Sequence, residues 1–313
     1  MTDDTSAFRR VLVDCLATKK DENVLVITDP RMRPLAEGLV DAARLLDTET
    51  VLTEMQERPD NGAEPPEHVA AAMLASDVIV APTSKSLSHT RARHAASQRG
   101  ARVASMPRVS LDMLLRTMAA DPHAVRRRAR AAAAALSAGR KVRITSRPGT
   151  DVTFFIEGRE GIADDGDLRA PGAFGNLPFG EGFIAPIEGK THGRVVFDGA
   201  GAEGSEQFEV TIEEGYATEL TGDAGRRFRE RVAPYGRDAL AVAELGVGTN
   251  DAARLSGNVL EDEKILGTIH VAFGDNHSFG GTVRVPSHQD FVVLEPTVVI
   301  DGTTVLDRGR LEL

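Results

Sequence analysis

The sequence predicts an α/β chain in two parts: a doubly wound parallel-sheet domain over 1–140 and a β-rich α+β domain over 141–313. Three observations predict it. Apolar strand-like runs alternate with helical stretches through the first part. A long Ala/Arg segment, VRRRARAAAAALSAG, closes that alternation at Gly139. Beyond it the chain breaks into short β-type runs punctuated by Gly and Asp.

Taken in order, Asn23–Thr28 (NVLVIT) reads as a strand ended by Asp29-Pro30, and residues 32–46 as a helix. Thr50–Thr53 is a weaker strand, 67–75 a helix and Asp77–Ala81 a third strand. A helix over 89–98 leads to a fourth strand, Arg102–Ser105. Continuous apolar strands separated by helices imply a parallel sheet covered on both faces. The loop after the first strand, TDPRMRP, offers neither GxGxxG nor GxxxxGK[ST], which argues against nucleotide binding. Residues 122–139 form a helix on Ala propensity. Its arginines, Arg126, Arg127, Arg128 and Arg130, read as a solvated face or a connector between domains, with anion binding as the other use.

In the second part KVRITS, DVTFFIEG, GRVVFDG, EQFEVTIEEG and FVVLEPTVVIDGTTV are β-type runs. Helical signals are confined to about 222–232 and 250–257.

Composition excludes several classes. A net charge of -10 and the absence of Trp argue against a nucleic-acid partner. The acidity is one-sided: residues 1–150 hold 23 Lys+Arg against 18 Asp+Glu, the remainder 14 against 29. A single cysteine, Cys15, leaves N and O atoms as the ligands for any metal. The start, MTDDTSAFRR, lacks a signal-peptide pattern, and no stretch reaches the ~20 apolar residues of a membrane span. A cytoplasmic protein is expected.

The chemistry concentrates late in the chain. His270, His277 and His288 fall within the segment GTIHVAFGDNHSFGGTVRVPSHQDF. His288 and Asp290 form an H-x-D pair, and on a strand i and i+2 share a face, so both reach one ion. His270 ends an apolar strand before a Gly-Asp-Asn turn. Two histidines with one carboxylate suit non-haem iron; further carboxylates suit a pair of Zn, Mn or Co ions. Glu181 is the one charged residue in its Pro/Gly-bounded apolar stretch, and Glu244 ends an apolar run, where a carboxylate needs a partner, a cation or a turn to cap. The run EDEK at 261–264 reads as solvent-facing, although Lys264 could steady a substrate carboxylate. His192 reads as a loop histidine.

GNLPFGEGFIAP, AELGVGTN, EKILGTIHVAFGDN and the later H-x-D together resemble the M29, or aminopeptidase T, family of metallo-aminopeptidases, in its shorter members. The resemblance covers most of 141–313 and makes that domain the metal-binding, catalytic one. It implies two divalent ions (Zn, Mn or Co) on Glu181, Glu244, His270, His288 and Asp290. The family's sixth ligand, a tyrosine, falls at His277, which would serve as a ligand or an acid/base group. It further implies a hydrolase that cleaves a peptide or amide bond in a small-molecule or short peptide substrate, with Glu181 or Glu244 as the base, and a homodimer. The related 2,5-dihydroxypyridine 5,6-dioxygenases resemble the same family but use one Fe(II). His270, His288 and Asp290 would serve that triad, with His277 or His192 handling protons. The remaining alternative is a non-catalytic metal-binding protein.

Overall fold

Three of the apolar runs of the first part are buried on both faces, as strands inside a parallel sheet are, while Glu49–Glu54 lies at the sheet edge with no buried residue. Val24–Ile27, Val78–Ala81 and Arg102–Ser105 show no exposed position. The computed structural model describes residues 3–199 and 206–313. It divides into two compact units, one of Met1–Ala120 with Gly166–Phe179, the other of Asp121–Asp165 with Gly180–Leu313. The sequence expectation divided the chain at 140/141; here the Ala/Arg helix stands in the second unit and a short later segment in the first.

In the first unit the strand order is Glu49–Glu54, Asn23–Thr28, Val78–Ala81, Arg102–Ser105, Phe174–Asn176, all parallel. Helices Arg33–Arg44, Glu67–Leu74 and Arg91–Gln98 connect the first four strands. The order reverses beside Asn23–Thr28, where such sheets usually take ligands. That crevice holds the chain's own Asp29. Its carboxylate accepts Ser84 N–H at 2.5 Å, Ser84 Oγ at 2.8 Å and Arg31 N–H at 3.2 Å. Helix Leu111–Met118, capped by Ser110, completes the unit.

The second unit is two antiparallel sheets around one core. One sheet has eight strands and the other five. The five-stranded sheet runs His288–Val293, Ile269–Gly274, Val242–Gly248, Glu181–Ile184, Ile162–Asp164. Alternation sends Leu245, Val247, Ile269, Val271, Phe273, Phe291 and Val293 into the core, where they meet Phe197, Phe208 and Phe228. Each buried phenyl contributes about 1.5–3 kcal/mol.

Helix Pro122–Ala138 starts at Asp121, whose side chain accepts His123 N–H, with Pro122 in the first turn. It lies directly on the Glu181–Ile184 strand: a Cβ on Gly182 would meet Ala133 N at 2.7 Å and Ala129 O at 2.8 Å. Arg127 and Arg130 are exposed, as expected of a solvated face, but three of the four arginines also tie the helix down. Arg126 and Arg130 bond Asp165, and Arg128 bonds Asp251 at 2.8 Å.

Helix Gly222–Val232 forms as expected, but 250–257 does not. Asn250 there is buried, its side chain accepts Ala252 N–H at 3.0 Å, and its backbone bonds Lys264 and Leu266. These bonds hold the segment as a turn. A short helix, Val259–Asp262, follows instead. Among the described residues no helix is long and apolar enough to cross a membrane.

Candidate metal centre

Strand register puts the candidate residues on one face of the five-stranded sheet, opposite the core. Residues paired across antiparallel strands share a face. Asp290 pairs with Ala272 and Ala272 with Glu244. His270 pairs with Gly246, and Gly246 with Phe183. Gly248 pairs with Glu181, and Glu181 with Asp164. His288 lies two residues before Asp290 on the same face. Small residues separate the charged ones, so the side chains lean together over them. A bulge at Val242/Glu244 shifts the register where Glu244 stands.

The result is a chain of alternating acid and base. Asp290 Oδ1 lies 3.3 Å from His288 Nε2, and that nitrogen lies 3.5 Å from Glu244 Oε2. Glu244 Oε1 lies 3.1 Å from His270 Nε2, which lies 3.3 Å from Glu181 Oε2. Glu181 Oε1 accepts Lys264 Nζ at 2.5 Å, and Lys264 also reaches Glu263 at 2.8 Å and Asp164 at 3.4 Å. His270 is 1% exposed, Glu181 5% and Glu244 6%.

His288 Nδ1 lies 2.7 Å from the Asp275 carbonyl. A carbonyl only accepts, so Nδ1 carries a proton, and Nε2 is the nitrogen that faces the site and becomes available to a metal once its own proton is displaced.

The electrostatics follow from this crowding. Burial raises the Glu181, Glu244 and Glu263 carboxyls above their ordinary range, and raises Asp164 to about 8. Burial opposes charge on the histidines, but the carboxylates outweigh it. Glu181 and Glu244 lift His270 to about 9, and Asp290 and Glu244 lift His288 to about 10. Burial also works against the Asp290 carboxylate, yet His288 holds it near 2. Burial opposes the Lys264 ammonium, but Glu181, Glu263 and Asp164 hold its pKa well above the ordinary value.

Among the described residues two groups have the spacing to hold an ion, Glu181–Glu244–His270 and Glu244–His288–Asp290, with Glu244 common to both. The donor set fits a divalent cation. Glu181 Oε2 and His270 Nδ1 are buried without a hydrogen-bond partner, and several carboxylates face a single ammonium. Buried carboxylates so crowded require a cation or protons.

Several expectations change. The EDEK run is buried, not solvent-facing: Glu261, Asp262 and Lys264 are fully covered and Glu263 is 7% exposed. Lys264 finds Glu181 and Asp164 far away in sequence, whereas Glu261 and Asp262 accept the nearby backbone N–H groups of Arg254, Ser256 and Gly257. Lys264 neutralises carboxylates of the chain itself. His270 sits inside the strand Ile269–Gly274 rather than at its end. Glu244 lies within a strand rather than capping a turn.

His277 is not brought into either group. The strand stops at Gly274, and a 3-10 turn, His277–Phe279, carries the histidine to the exposed surface, where its Nε2 meets the Arg284 guanidinium. His192 is exposed on the eight-stranded sheet, 3.1 Å from Lys190 O. Asp164 and Glu263 join the cluster without having been singled out. Nothing local in GIADDGD marks Asp164, whereas Glu263 stands beside Lys264 in the EKILG motif.

The family model described as NicX, 2,5-dihydroxypyridine 5,6-dioxygenase, matches residues 3–313. The structure resembles that of 2,5-dihydroxypyridine dioxygenase from Pseudomonas putida KT2440, with a TM-score of 0.85 and 18% identity, covering 99% of this chain and 98% of that one. It also resembles wild-type AmpT from Thermus thermophilus, with a TM-score of 0.73 and 17% identity, covering 99% of each. No curated protein sequence matches significantly. One fold therefore underlies all three chains.

Proposed function

The chain belongs to the NicX, 2,5-dihydroxypyridine 5,6-dioxygenase, family, and on that premise we propose that it is a mononuclear iron(II) dioxygenase that opens a dihydroxylated, pyridine-like aromatic ring. The observation that supports this reading is the placement of two histidines and a carboxylate, His270, His288 and Asp290, on one face of two adjacent strands, with Glu244 within 3.5 Å of both histidines. Two His and one carboxylate with open positions is the ligand set of non-haem iron oxygenases.

Bound at these three residues, iron(II) would let electrons pass to O₂ from the electron-rich ring, which itself supplies all that O₂ takes up. The remaining residues prepare that chemistry. Asp275 O fixes the His288 tautomer so that Nε2 points inward. Asp290 keeps its charge because His288 stands beside it. Glu244, buried and with its affinity for a proton raised, is the carboxylate next to both histidines. It would take the proton of a substrate ring hydroxyl on an Oε atom. Lys264 holds Glu181 by Oε1 and leaves Oε2 turned toward His270.

A second reading, a two-ion hydrolase of the aminopeptidase type, is favoured by one observation: Glu244 belongs to both three-residue groups. A shared carboxylate between adjacent cations is the arrangement that activates water in two-metal sites. Oxygen-electrode measurements decide between them. Anaerobically reconstituted iron protein is expected to consume O₂ and bleach the absorbance of 2,5-dihydroxypyridine. Amine release from an amino-acid p-nitroanilide with Zn, Mn or Co, and no O₂ uptake with iron, would overturn the dioxygenase.

A further inference from the structure

Two phenyl rings stand on the metal-bearing face of the sheet with no place in the core. Phe183 follows Glu181 by two residues on the same face and lies opposite Gly246, over which the His270 imidazole leans. Phe279, on the short turn His277–Phe279, packs edge-on against Phe183, with centroids 5.6 Å apart and planes at 77°. It also meets His288 edge-on, at 5.8 Å and 86°. Both rings are half-buried. Neither belongs to the core cluster, whose phenylalanines lie on the other face of the sheet.

The turn that carries Phe279 is fixed. Asn276 is fully buried and forms its hub. Its side chain accepts Val283 N–H at 2.9 Å and donates to Glu188 at 3.2 Å, while its carbonyl accepts Gly281 N–H at 3.0 Å. Glu188 also accepts Thr282 N–H at 2.7 Å and pairs with Arg159, which donates to Gly280 O. These bonds hold Phe279 against a candidate metal ligand, in a part of the molecule otherwise lined by charge. An aromatic pair adds specific edge and face contacts to its apolar area.

We propose that Phe183 and Phe279 form a ring-binding subsite beside His288 that accepts a planar aromatic ligand and thereby selects an aromatic substrate. This rests on the aromatic-substrate reading of the site, but the two can fail separately. The test is anaerobic calorimetric titration of the iron-loaded protein with 2,5-dihydroxypyridine. Phe183→Leu and Phe279→Leu keep apolar bulk and remove the ring; each is expected to weaken binding about threefold to tenfold. Phe279→Tyr keeps the ring at a half-exposed position and should bind as the parent does. Metal content and melting temperature, measured alongside, show that the variants are folded and loaded.

Unchanged binding in both Leu variants overturns the subsite, as does the absence of any binding by the parent. Ring binding that weakens in the Leu variants without O₂ uptake supports the subsite and overturns the reaction. O₂ uptake with unchanged binding in the Leu variants overturns the subsite and leaves the reaction standing.

Discussion

A Cβ added to Gly246 would lie 2.0 Å from Cε1 and 2.1 Å from Nε2 of His270. The glycine faces the histidine across paired strands, and its missing side chain is the space the imidazole occupies. Gly246→Ala should therefore tilt His270 out of line with Glu244 and Glu181. Metal affinity is expected to fall about 10–100-fold, as for other losses of ligand support. Competition with a chromophoric chelator measures it; unchanged affinity would show that the ring has another place to go.

His277→Ala should leave metal content intact, because His277 is exposed and faces Arg284. Turnover should stay well short of the ~10²–10⁴-fold loss expected for an acid/base group. Loss of metal in this variant would restore it as a ligand.

Lys264→Met should destabilise the protein. It leaves Glu181, Glu263 and Asp164 buried together without their ammonium. Breaking a buried pair typically costs about 3–5 kcal/mol. Urea denaturation of the metal-free protein reads the change. Little change would mean that the carboxylates accept protons in its place.

The metal-free protein should lose stability as pH rises. His270 at about 9 and His288 at about 10 bind protons more tightly folded than unfolded. Their contribution is complete below the ordinary histidine value of about 6.5 and disappears as pH climbs through 9 to 10. Asp164, raised to about 8, works in the same direction. Asp290, depressed to about 2, contributes only above the ordinary aspartate range and is lost in strong acid. Metal must displace the histidine protons, so its affinity should increase over the same interval. Melting curves from pH 6 to 10 with and without metal check both; a flat metal-free profile contradicts the histidine assignment.

Much of this arrangement was legible in the sequence where the signal is local. Arg102–Ser105 and Gly222–Val232 form with the expected bounds, since an apolar run and an amphipathic stretch between breakers identify themselves. The H-x-D pair also follows from strand alternation alone. Helix Leu111–Met118 carried an unused signal, the Ser110 cap before LDMLLRTM. Other features depend on partners far away. Phe174–Asn176 is a three-residue strand that exists by pairing with Val103–Ser105. Lys264 of the EDEK run is buried against Glu181, 83 residues earlier. His277 left the cluster because a turn, not the strand, carries it.

Metal content per chain tests the central claim most directly. Protein purified without chelator and reconstituted with iron(II) should retain about one ion per chain by elemental analysis, and Asp290→Ala should retain none. Two Zn or Mn ions per chain that resist replacement by iron, both lost in Glu244→Gln, would contradict a mononuclear iron site and favour the two-ion hydrolase.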